Sequence, residues 1–314
     1  MKPRVPDAEF ITLFEKHGLY ETAKCLDIAI SNVSRRRRNL ERKYNRQITG
    51  PPHPNSTRRN IRHPGRLNFE IKNGIVIVGS DAHYWPNYIP VAHLGLLWAC
   101  KEFQPKAVIA NGDELDGATI SRHPPIGWEN LPTLVDEIET VKLRLDEIKN
   151  AAVNAKLFWQ LGNHDARFET RLATVAPEYA KIHGFHLHDI FPEWTPCWSV
   201  WINDDVVVKH RFKGGIHAPW NNTIYAGKTI VTGHLHSGKI YPFTDYNGTR
   251  WGVDAGCVAD PWGPQFEYLE DNPRQWRAGF AVLTFRDGIL LPPELVTVWD
   301  EKHIAFRGEL IEVG

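Results

Sequence analysis

The sequence predicts an α/β protein preceded by a small, basic, all-helical domain. Short β-branched runs at residues 75–80 and 107–110 are separated by helical patterning, which is typical of a parallel α/β unit. After about residue 195, strand-like runs follow one another with little helix between them, so the second half should be mostly β. The 314-residue chain has no net formal charge, yet residues 1–66 carry +9 and the remainder −9.

Composition narrows the class of protein further. Apolar residues make up 42% of the chain, enough for a large core. Cys25, Cys100, Cys197 and Cys257 lie far apart without a CxxC pair, which argues against a disulfide framework and fits a reducing compartment. No apolar run approaches the ~20 residues that cross a bilayer, and the N-terminus lacks a signal-like apolar segment. We therefore expect a soluble cytoplasmic protein with no membrane partner.

The N-terminal domain, residues 1–50, should contain three helices. Asp7 is the expected N-cap of a first helix that ends at Gly18, and a second helix covers residues 21–26. After a short turn, a third helix should run from residue 31 to 46. A short turn followed by a very basic helix is typical of a helix-turn-helix.

The positions of three small or apolar residues strengthen that prediction. Ala23, Ile28 and Val33 stand where helix-turn-helix regulators place theirs, and the segment resembles that motif. Four consecutive arginines sweep about 400° of helix, so they do not all reach one groove. A solvated helix or a protein-docking arm is the alternative to nucleic-acid binding. The candidate nucleic-acid contacts are Arg35, Arg36, Arg37, Arg38, Arg42 and Lys43.

A linker is predicted at residues 51–68, because prolines and turn formers cluster there. Arg58, Arg59, Arg62 and Arg66 extend the positive charge along it. They either keep the linker solvated or follow a phosphate backbone, and the sequence favours neither. The remaining domain, residues 69–314, begins with the expected strand–helix alternation: helices near 91–102 and 131–155, and a third strand at 156–160.

Metal-friendly side chains follow five of the predicted strands. In chain order, the segments are Asp81-Ala82-His83, Gly112 to Asp116, Gly162-Asn163-His164-Asp165, His210, and Gly233-His234-Leu235-His236. Carboxylate, amide and imidazole groups are ligands for hard and borderline cations. Residues i and i+2 of a strand share a face, so Asp81 with His83, and His234 with His236, should form two clamps. Asp113 has two oxygens that can bridge two cations.

The order D-x-H, G-D-x-x-D, G-N-H-D, H, G-H-x-H over residues 74–240 resembles the calcineurin-like metallophosphoesterase superfamily. The resemblance implies a four-layer α/β/β/α sandwich and two divalent ions. Asp81, His83 and His236 would hold one ion, and Asn163, His210 and His234 the other. Asp113 would bridge them. His164 would be the catalytic acid, oriented by Asp116.

The implied mechanism is in-line attack on phosphorus by a hydroxide that bridges the two ions. Manganese is the leading candidate, and iron, zinc and nickel stay open because the ligand set contains no thiolate. The assignment of His210 has an alternative in His217 nearby. Arg122, His123 and Arg167 follow the metal motifs and are candidate phosphate contacts; a solvated loop or structural ion pairs are the alternative.

Two departures indicate the branch of the superfamily. Phosphoprotein phosphatases have an arginine where this chain has Gly117, and a glutamate where it has Asp165. The pattern is closer to nucleases and phosphodiesterases, and the whole layout resembles enzymes encoded by bacteriophages and prophages, acting inside an infected host cell. We therefore expect a DNase-like, metal-dependent phosphodiesterase with nucleic acid, chiefly DNA, as partner. A small-nucleotide phosphodiesterase or phosphatase, and a DNA-binding regulator, are the alternatives.

Overall fold

The computed structural model describes residues 5–51, 65–123, 127 and 130–314. The chain divides into two units at residues 62 and 63. The predicted linker arginines Arg58, Arg59 and Arg62 lie outside the described residues. No helix in the described part is long and apolar enough to cross a membrane.

Two helices form the N-terminal unit: α1 (Asp7–Leu26) and α2 (Ile30–Tyr44). Helix α1 contains the break that the sequence predicts, because Gly18 has φ 73° and ψ −172° and interrupts it between two helical stretches. A glycine tolerates this backbone without strain. The apolar stripes of both helices bury a small core of Phe10, Phe14, Ala23, Val33, Leu40 and Ile48.

The N-cap prediction for Asp7 is wrong. Pro6 occupies the N-cap position without a side-chain cap, and Asp7 is the first helical residue. Its carboxylate instead accepts hydrogen bonds from Arg36 at 3.1 Å and Lys43 at 2.8 Å. Both carboxylate oxygens of Asp7 therefore pair with cations of α2, and neither caps α1.

The second unit contains the remaining helices and strands. They are β1 (Arg66–Phe69), β2 (Gly74–Gly79), α3 (Val91–Phe103), β3 (Ala107–Ala110), α4 (Leu134–Ala151), β4 (Lys156–Gln160), α5 (Asp165–Val175), α6 (Leu187–Ile190), β5 (Thr195–Cys197), β6 (Ser199–Ile202), β7 (Val206–Val208), α7 (Ala218–Ala226), β8 (Thr229–Thr232), β9 (Lys239–Asp245), β10 (Gly248–Asp254), β11 (Gly279–Arg286), β12 (Ile289–Leu290), β13 (Glu294–Val298), β14 (His303–Phe306) and β15 (Glu309–Glu312).

These strands form two sheets in the described residues. One has the order β1-β6-β7-β8-β10-β9, and the other β15-β14-β13-β11-β2-β3-β4-β5, with β12 paired to β11. Strands β2 to β5 run parallel, whereas β11 joins β2 antiparallel. The predicted parallel start and later β-rich half are therefore both present.

The layers follow from the positions of the cores. One apolar core lies between the sheets and includes Val76 and Val78 from one sheet and Val200 and Val208 from the other. A second core packs α3 and α4 on the outer face of the larger sheet. Helix α7 packs on the outer face of the smaller sheet. This α/β/β/α order confirms the predicted fold class.

Sequence patterning missed some of these elements. Strand β1 begins inside the predicted linker, where Arg66 lies 3.5 Å from the Trp201 ring centroid and pairs with Asp204, so residues 66–68 belong to the sheet. Helices α5 and α7 were not expected. Each begins directly after a polar motif and has too few apolar positions for a clear period.

A buried histidine in the first turn of α3 gives the fold a predictable pH dependence. The Tyr84 hydroxyl lies 2.9 Å from His93 Nδ1, and Glu147 lies 2.8 Å from its Nε2. Burial, opposed in part by Glu147, lowers the pKa of His93 from 6.5 to about 4. Because the unfolded chain takes up a proton near pH 6.5, this stabilisation is complete above pH 6.5 and is lost as the pH falls through 4.

We expect the free energy of unfolding to lose about 3 kcal/mol across that window through His93. Urea unfolding of the wild type and His93→Gln between pH 7 and 4 measures this, with His303→Gln, at a half-buried position, as the control. The control should keep the wild-type slope and His93→Gln should flatten it. Equal slopes in all three proteins would contradict the assignment.

Candidate metal centre

The five motifs meet where strands from both sheets end. Asp81 follows β2, Asp113 follows β3 and Asn163 follows β4, all in the larger sheet. His210 follows β7 and His234 follows β8 in the smaller sheet. The carboxyl ends of parallel strands lie at one edge of a sheet, which is where α/β folds place ligands.

The first predicted ligand set is assembled in the structure. Asp81, His83 and His236 each place one ligand atom within 4.8 Å of the others, and all three side chains are buried. Asp81 Oδ1 lies 3.0 Å from His236 Nε2. His83 Nε2 and His236 Nδ1 are buried nitrogens without a hydrogen-bond partner among the described residues. Such orphaned nitrogens are rare unless a ligand satisfies them.

The second set gathers around Asp113, whose ligand oxygen lies within 4.8 Å of ligand nitrogens of His210 and His234. His210 Nε2 lies 3.1 Å from Asp113 Oδ2 and 3.2 Å from Asn163 Oδ1. Its Nδ1 lies 2.8 Å from the carbonyl oxygen of Asn111 and donates its proton there. Nε2 therefore faces two oxygens, which requires positive charge at this position, either a second ring proton or a bound cation.

The pKa shifts of the clustered carboxylates and of His210 agree with this requirement. Burial alone would raise the pKa of Asp81, but the positive charges of His236 and His210 bring it to about 2. The same balance of burial against His210 lowers the pKa of Asp113. Burial would lower the pKa of His210, but Asp81 and Asp113 raise it to about 10. The centre therefore holds its carboxylates ionised and attracts positive charge.

The donor set fits two divalent ions. Oxygen and imidazole ligands without a thiolate suit manganese, iron, zinc or nickel, and the geometry does not select among them. His83, which donates from Nδ1 to Asp116 Oδ1 at 2.8 Å, shows the usual outer support of a metal-binding imidazole. The metal-binding roles of these seven residues remain predictions, although the structure brings all seven together.

His164, the predicted catalytic acid, lies beside this centre. Its ring centroid is 4.5 Å from that of His83, and its Nδ1 lies 2.9 Å from the Asp116 carbonyl oxygen and 3.1 Å from Asp116 Oδ1. Arg167 Nη2 donates to His164 Nε2 at 3.1 Å. Asp116 thus contacts both His83 and His164, where the sequence suggested His164 alone. Burial alone would lower the pKa of His164, but its contact with the Asp116 carboxylate outweighs this effect, so the pKa is raised.

Asp165 supports the structure of the centre. It is part of the G-N-H-D motif, which does not by itself indicate a role for this residue. It is fully buried, and its Oδ2 accepts the backbone N–H of Asp113 at 2.8 Å and of Gly162 at 2.9 Å. Its Oδ1 accepts the N–H of Leu115 at 3.0 Å. One carboxylate therefore ties together the loops after β3 and β4. Its position as the last residue of G-N-H-D was the available signal.

Replacing Asp165 with asparagine should weaken the centre and the fold. The new amide N–H₂ would face backbone N–H groups that now share an acceptor, with a penalty of about 1–3 kcal/mol for each lost pairing. We expect a lower free energy of unfolding and weaker metal binding, measured by urea denaturation and titration calorimetry. Asp136→Asn, at an exposed helix cap, is the control. Wild-type metal affinity in Asp165→Asn would contradict this role.

The clamps form for a different reason from the one predicted. Strand β2 ends at Gly79 and β8 at Thr232, so neither predicted clamp, Asp81 with His83 or His234 with His236, lies on a strand. Asp81, His83 and His236 have φ of 56°, 39° and 56°, in the left-handed region. Such backbone is strained for these residues by about 1–3 kcal/mol each, and it clusters at functional sites. The loops direct the ligands inward by this backbone, which a two-residue period does not describe.

The glycines of three motifs lie against ligands of other motifs. A Cβ at Gly112 would come to 2.6 Å from His210 Nδ1. One at Gly162 would come to 2.0 Å from Asp113 Oδ1, and one at Gly233 to 2.4 Å from Asp81 Oδ2. Any side chain at these positions would displace a ligand.

Other predicted positions are also resolved by the structure. His217 is exposed, whereas His210 is buried among the ligands, so the structure brings His210 into the cluster. Glu169, His186 and His188 form a further cluster on the surface. His186 uses both ring nitrogens within the protein, 2.6 Å from Glu169 and 2.7 Å from the Ala180 carbonyl oxygen, so neither nitrogen is free for a metal ion.

A cleft of about 790 Å³ opens beside the centre. Asn163, His164 and Arg167 line it together with His123, so two of the three candidate phosphate contacts face this space. Arg122 is exposed and is not part of the lining. The volume lies in the range of small-molecule sites.

Comparisons with known proteins gave structural matches alone. No family model and no curated protein matches the chain. A protein serine/threonine phosphatase from Saccharomyces cerevisiae, with similarity to the human phosphatase PP5, has 13% identity and a TM-score of 0.38 over 76% of this chain and 85% of its own. The NAD nucleotidase NadN of Haemophilus influenzae has 13% identity and a TM-score of 0.34 over 77% of this chain and 54% of its own. Both TM-scores lie below 0.5, so neither protein bears on what this chain does.

The predicted architecture and motif clustering are both present in this chain's own residues. The four layers have the order that the resemblance implies, and the ligand sets converge from the motifs that carry it. The predicted fold class is confirmed, and membership of the metallophosphoesterase superfamily stays a prediction that the clustering of these residues supports.

Proposed function

We propose that this chain is a metal-dependent phosphodiesterase that cleaves nucleic acid. The observation that carries the proposal is the convergence of two ligand clusters, around Asp81 and Asp113, with His164 beside them. This arrangement has the components that a dinuclear phosphoester hydrolase requires.

The chemistry divides between the ions and the side chains. Bound divalent ions supply a nucleophile from water at neutral pH and neutralise phosphate charge. His164 delivers a proton to the leaving oxygen as the scissile P–O bond breaks with its electron pair. Asp116 holds His164 by its Nδ1, which leaves Nε2 as the proton-donating atom. Arg167 contacts that atom now and must turn away, and the phosphate in the cleft offers its guanidinium a stronger partner.

The exposed arginines on one face of helix α2 support a nucleic-acid substrate. Arg36 is held by Asp7 and stacks on Phe10, and Arg37 lies over Phe14, so these two belong to the unit's own packing. Arg35, Arg38 and Arg42 are exposed. Their spacing of three and four residues places them on one face of the helix, where phosphates can be reached together.

The charge distribution of the catalytic unit points in the same direction. Residues 206–244 contain no aspartate or glutamate, although the unit as a whole is acidic. This stretch carries His210, His234 and His236, and the exposed Arg211 and Lys213 follow the first of them. These two exposed cations next to His210 favour the approach of a polyanion to the centre.

One set of assays tests the proposal. The protein is incubated with Mn²⁺ and single-stranded DNA, duplex DNA, cyclic nucleotides and bis-p-nitrophenyl phosphate. We expect hydrolysis of the chromogenic diester and of DNA. Hydrolysis of the diester without DNA cleavage would refute the nuclease assignment, and no hydrolysis at all would refute the phosphodiesterase.

Removing two arginines from the exposed face of α2 should weaken binding to DNA. Arg38→Ala with Arg42→Ala removes two phosphate contacts, so the slope of log affinity against log salt should fall by about 1.8. Fluorescence anisotropy at several salt concentrations measures it. Lys16→Ala with Lys24→Ala removes two exposed charges from α1 and is the matched control. Equal losses in both variants would show that total charge matters and the α2 face does not.

The cleft favours a second candidate, a phosphodiesterase or phosphatase for small nucleotides. Its volume of about 790 Å³ accommodates a nucleotide beside His164. Cyclic nucleotides in the same assay distinguish the two, because this candidate predicts turnover of cyclic nucleotides at higher kcat/KM than DNA.

A further inference from the structure

The cleft beside His164 contains a buried amide that the proposed chemistry does not use. Gln265 lines the cleft, and its side chain is 4% exposed. Its Nε2 and Oε1 are buried, and neither has a hydrogen-bond partner among the described residues. Gln265 lies on the irregular segment Pro264–Leu269, which holds no predicted ligand and is separate from the five motifs.

An amide without partners is unusual at this degree of burial. Most buried polar side-chain atoms are hydrogen-bonded, and a buried donor or acceptor left unpaired destabilises the fold. Here a donor and an acceptor of one side chain are unpaired together, and the residue borders an open cleft. Gly263 makes room for it, because a Cβ there would come to 2.5 Å from Gln265 Oε1. This arrangement suits a ligand that presents a neighbouring acceptor and donor.

Aromatic side chains line the same cleft. Trp85 is half-buried and Tyr268 is 46% exposed, and both border the space that Gln265 borders. Exposed aromatic rings beside a polar reader are the components that bind planar heterocycles. Arg167, at the side of the cleft that holds His164, supplies a positive charge for a phosphate next to such a ring.

We propose that this cleft is a nucleobase subsite, in which Trp85 and Tyr268 stack on the base of a nucleotide and the Gln265 amide pairs with its edge. A base with an adjacent acceptor and donor matches the amide; adenine presents such a pair at N7 and N6, and the other bases present one on their free Watson–Crick edges. The subsite therefore takes the nucleoside beside the scissile phosphate, and the amide pairs with an edge of its base. This inference rests on the proposed phosphodiesterase and adds what that enzyme recognises.

The alternative occupant with the same hydrogen-bonding pattern is a peptide backbone. The cleft disfavours it, because Asp116 and Glu267 are the acidic groups of its lining and Arg167 with His123 are the basic ones around His164. The basic groups adjoin the phosphate-handling residues, whereas a peptide needs no charge there. A phosphate attached to a planar ring uses both features at once.

Two chromogenic diesters test the subsite with the full-length, Mn²⁺-loaded protein. One is the p-nitrophenyl ester of adenosine 5′-monophosphate, and the other is methyl p-nitrophenyl phosphate, which has the same leaving group and no base. We expect kcat/KM for the nucleotide ester to exceed that for the methyl ester by tenfold or more. The ratio should fall about tenfold in Tyr268→Ala and in Trp85→Ala.

Gln265→Leu should lower the ratio of kcat/KM for the adenosine ester to that for the methyl ester, because the amide that pairs with the base is lost. Tyr246→Ala and Trp299→Ala, which remove well-exposed aromatic rings that do not line the cleft, are the matched controls and should leave every ratio unchanged. Hydrolysis of both diesters at a ratio near one would overturn the subsite while leaving the phosphodiesterase intact. A ratio unchanged by Tyr268→Ala and Gln265→Leu would overturn it as well. Failure to hydrolyse either diester would instead overturn the proposed function.

Discussion

Replacing His164 with alanine should lower kcat for a phosphodiester by about 10²–10⁴-fold, the range for loss of a positioned general acid. Metal binding should stay near the wild-type level, because His164 lies beside the clusters and the backbone N–H of residue 164 still donates to Asp113 Oδ1 at 2.7 Å. Steady-state kinetics and metal analysis by mass spectrometry measure the two quantities together.

The pH profile distinguishes an acid from a merely structural histidine. The wild-type rate should fall at alkaline pH as His164 loses its proton, and His164→Ala should lack that limb. An activated substrate with a good leaving group, such as bis-p-nitrophenyl phosphate, should be affected less than DNA. His303→Ala is the control, outside the centre and on β14. Full activity in His164→Ala would remove this residue from the mechanism.

The largest change in stability should follow removal of the metal ions. Two ions bound to the folded state alone contribute about 2.7 kcal/mol each at a hundredfold excess over Kd. For a domain of this size, chelation should therefore lower Tm by roughly 10–20 °C. Asp113→Asn should lose most of this metal-dependent shift, because Asp113 is the carboxylate near His210 and Asn163. Differential scanning calorimetry with and without Mn²⁺ measures the shift.

Protons should leave as the ions bind. Asp81 and Asp113 raise the pKa of His210 to about 10, so without metal its ring is protonated at neutral pH. An ion at this position displaces that proton, and metal affinity should rise with pH. Calorimetry in buffers of different ionisation enthalpy counts the protons released. Asp300→Asn, at an exposed carboxylate, is the control for Asp113→Asn. A metal-dependent Tm shift of wild-type size in Asp113→Asn would contradict the bridging role.

Sequence reasoning identified the residues that meet at this centre because each motif is a short, continuous stretch of sequence. Each motif follows the end of a strand, and parallel strands carry their carboxyl ends to one edge of a sheet. The convergence of Asp81 with His236, 155 residues later in the chain, follows from that topology. The fold class was predictable for the same reason.

What sequence reasoning missed depends on backbone conformation and burial. The left-handed backbone at Asp81 and His83 is imposed by tertiary packing, and no periodicity reports it. Asp165 has the composition of a ligand, but its oxygens are used by backbone N–H groups of two loops. Gln265 lies outside every motif, and its unpaired amide is visible only once the fold surrounds it.

The motif glycines have a consequence for how such a centre changes over time. Gly162 leaves room for Asp113, and Gly112 leaves room for His210, so the conformation of each loop depends on the side chain that a neighbouring loop places against it. A change in one of these loops therefore requires a matching change in its neighbour. A single loop transferred to another scaffold would meet a neighbour that does not fit, so these loops should change together during evolution.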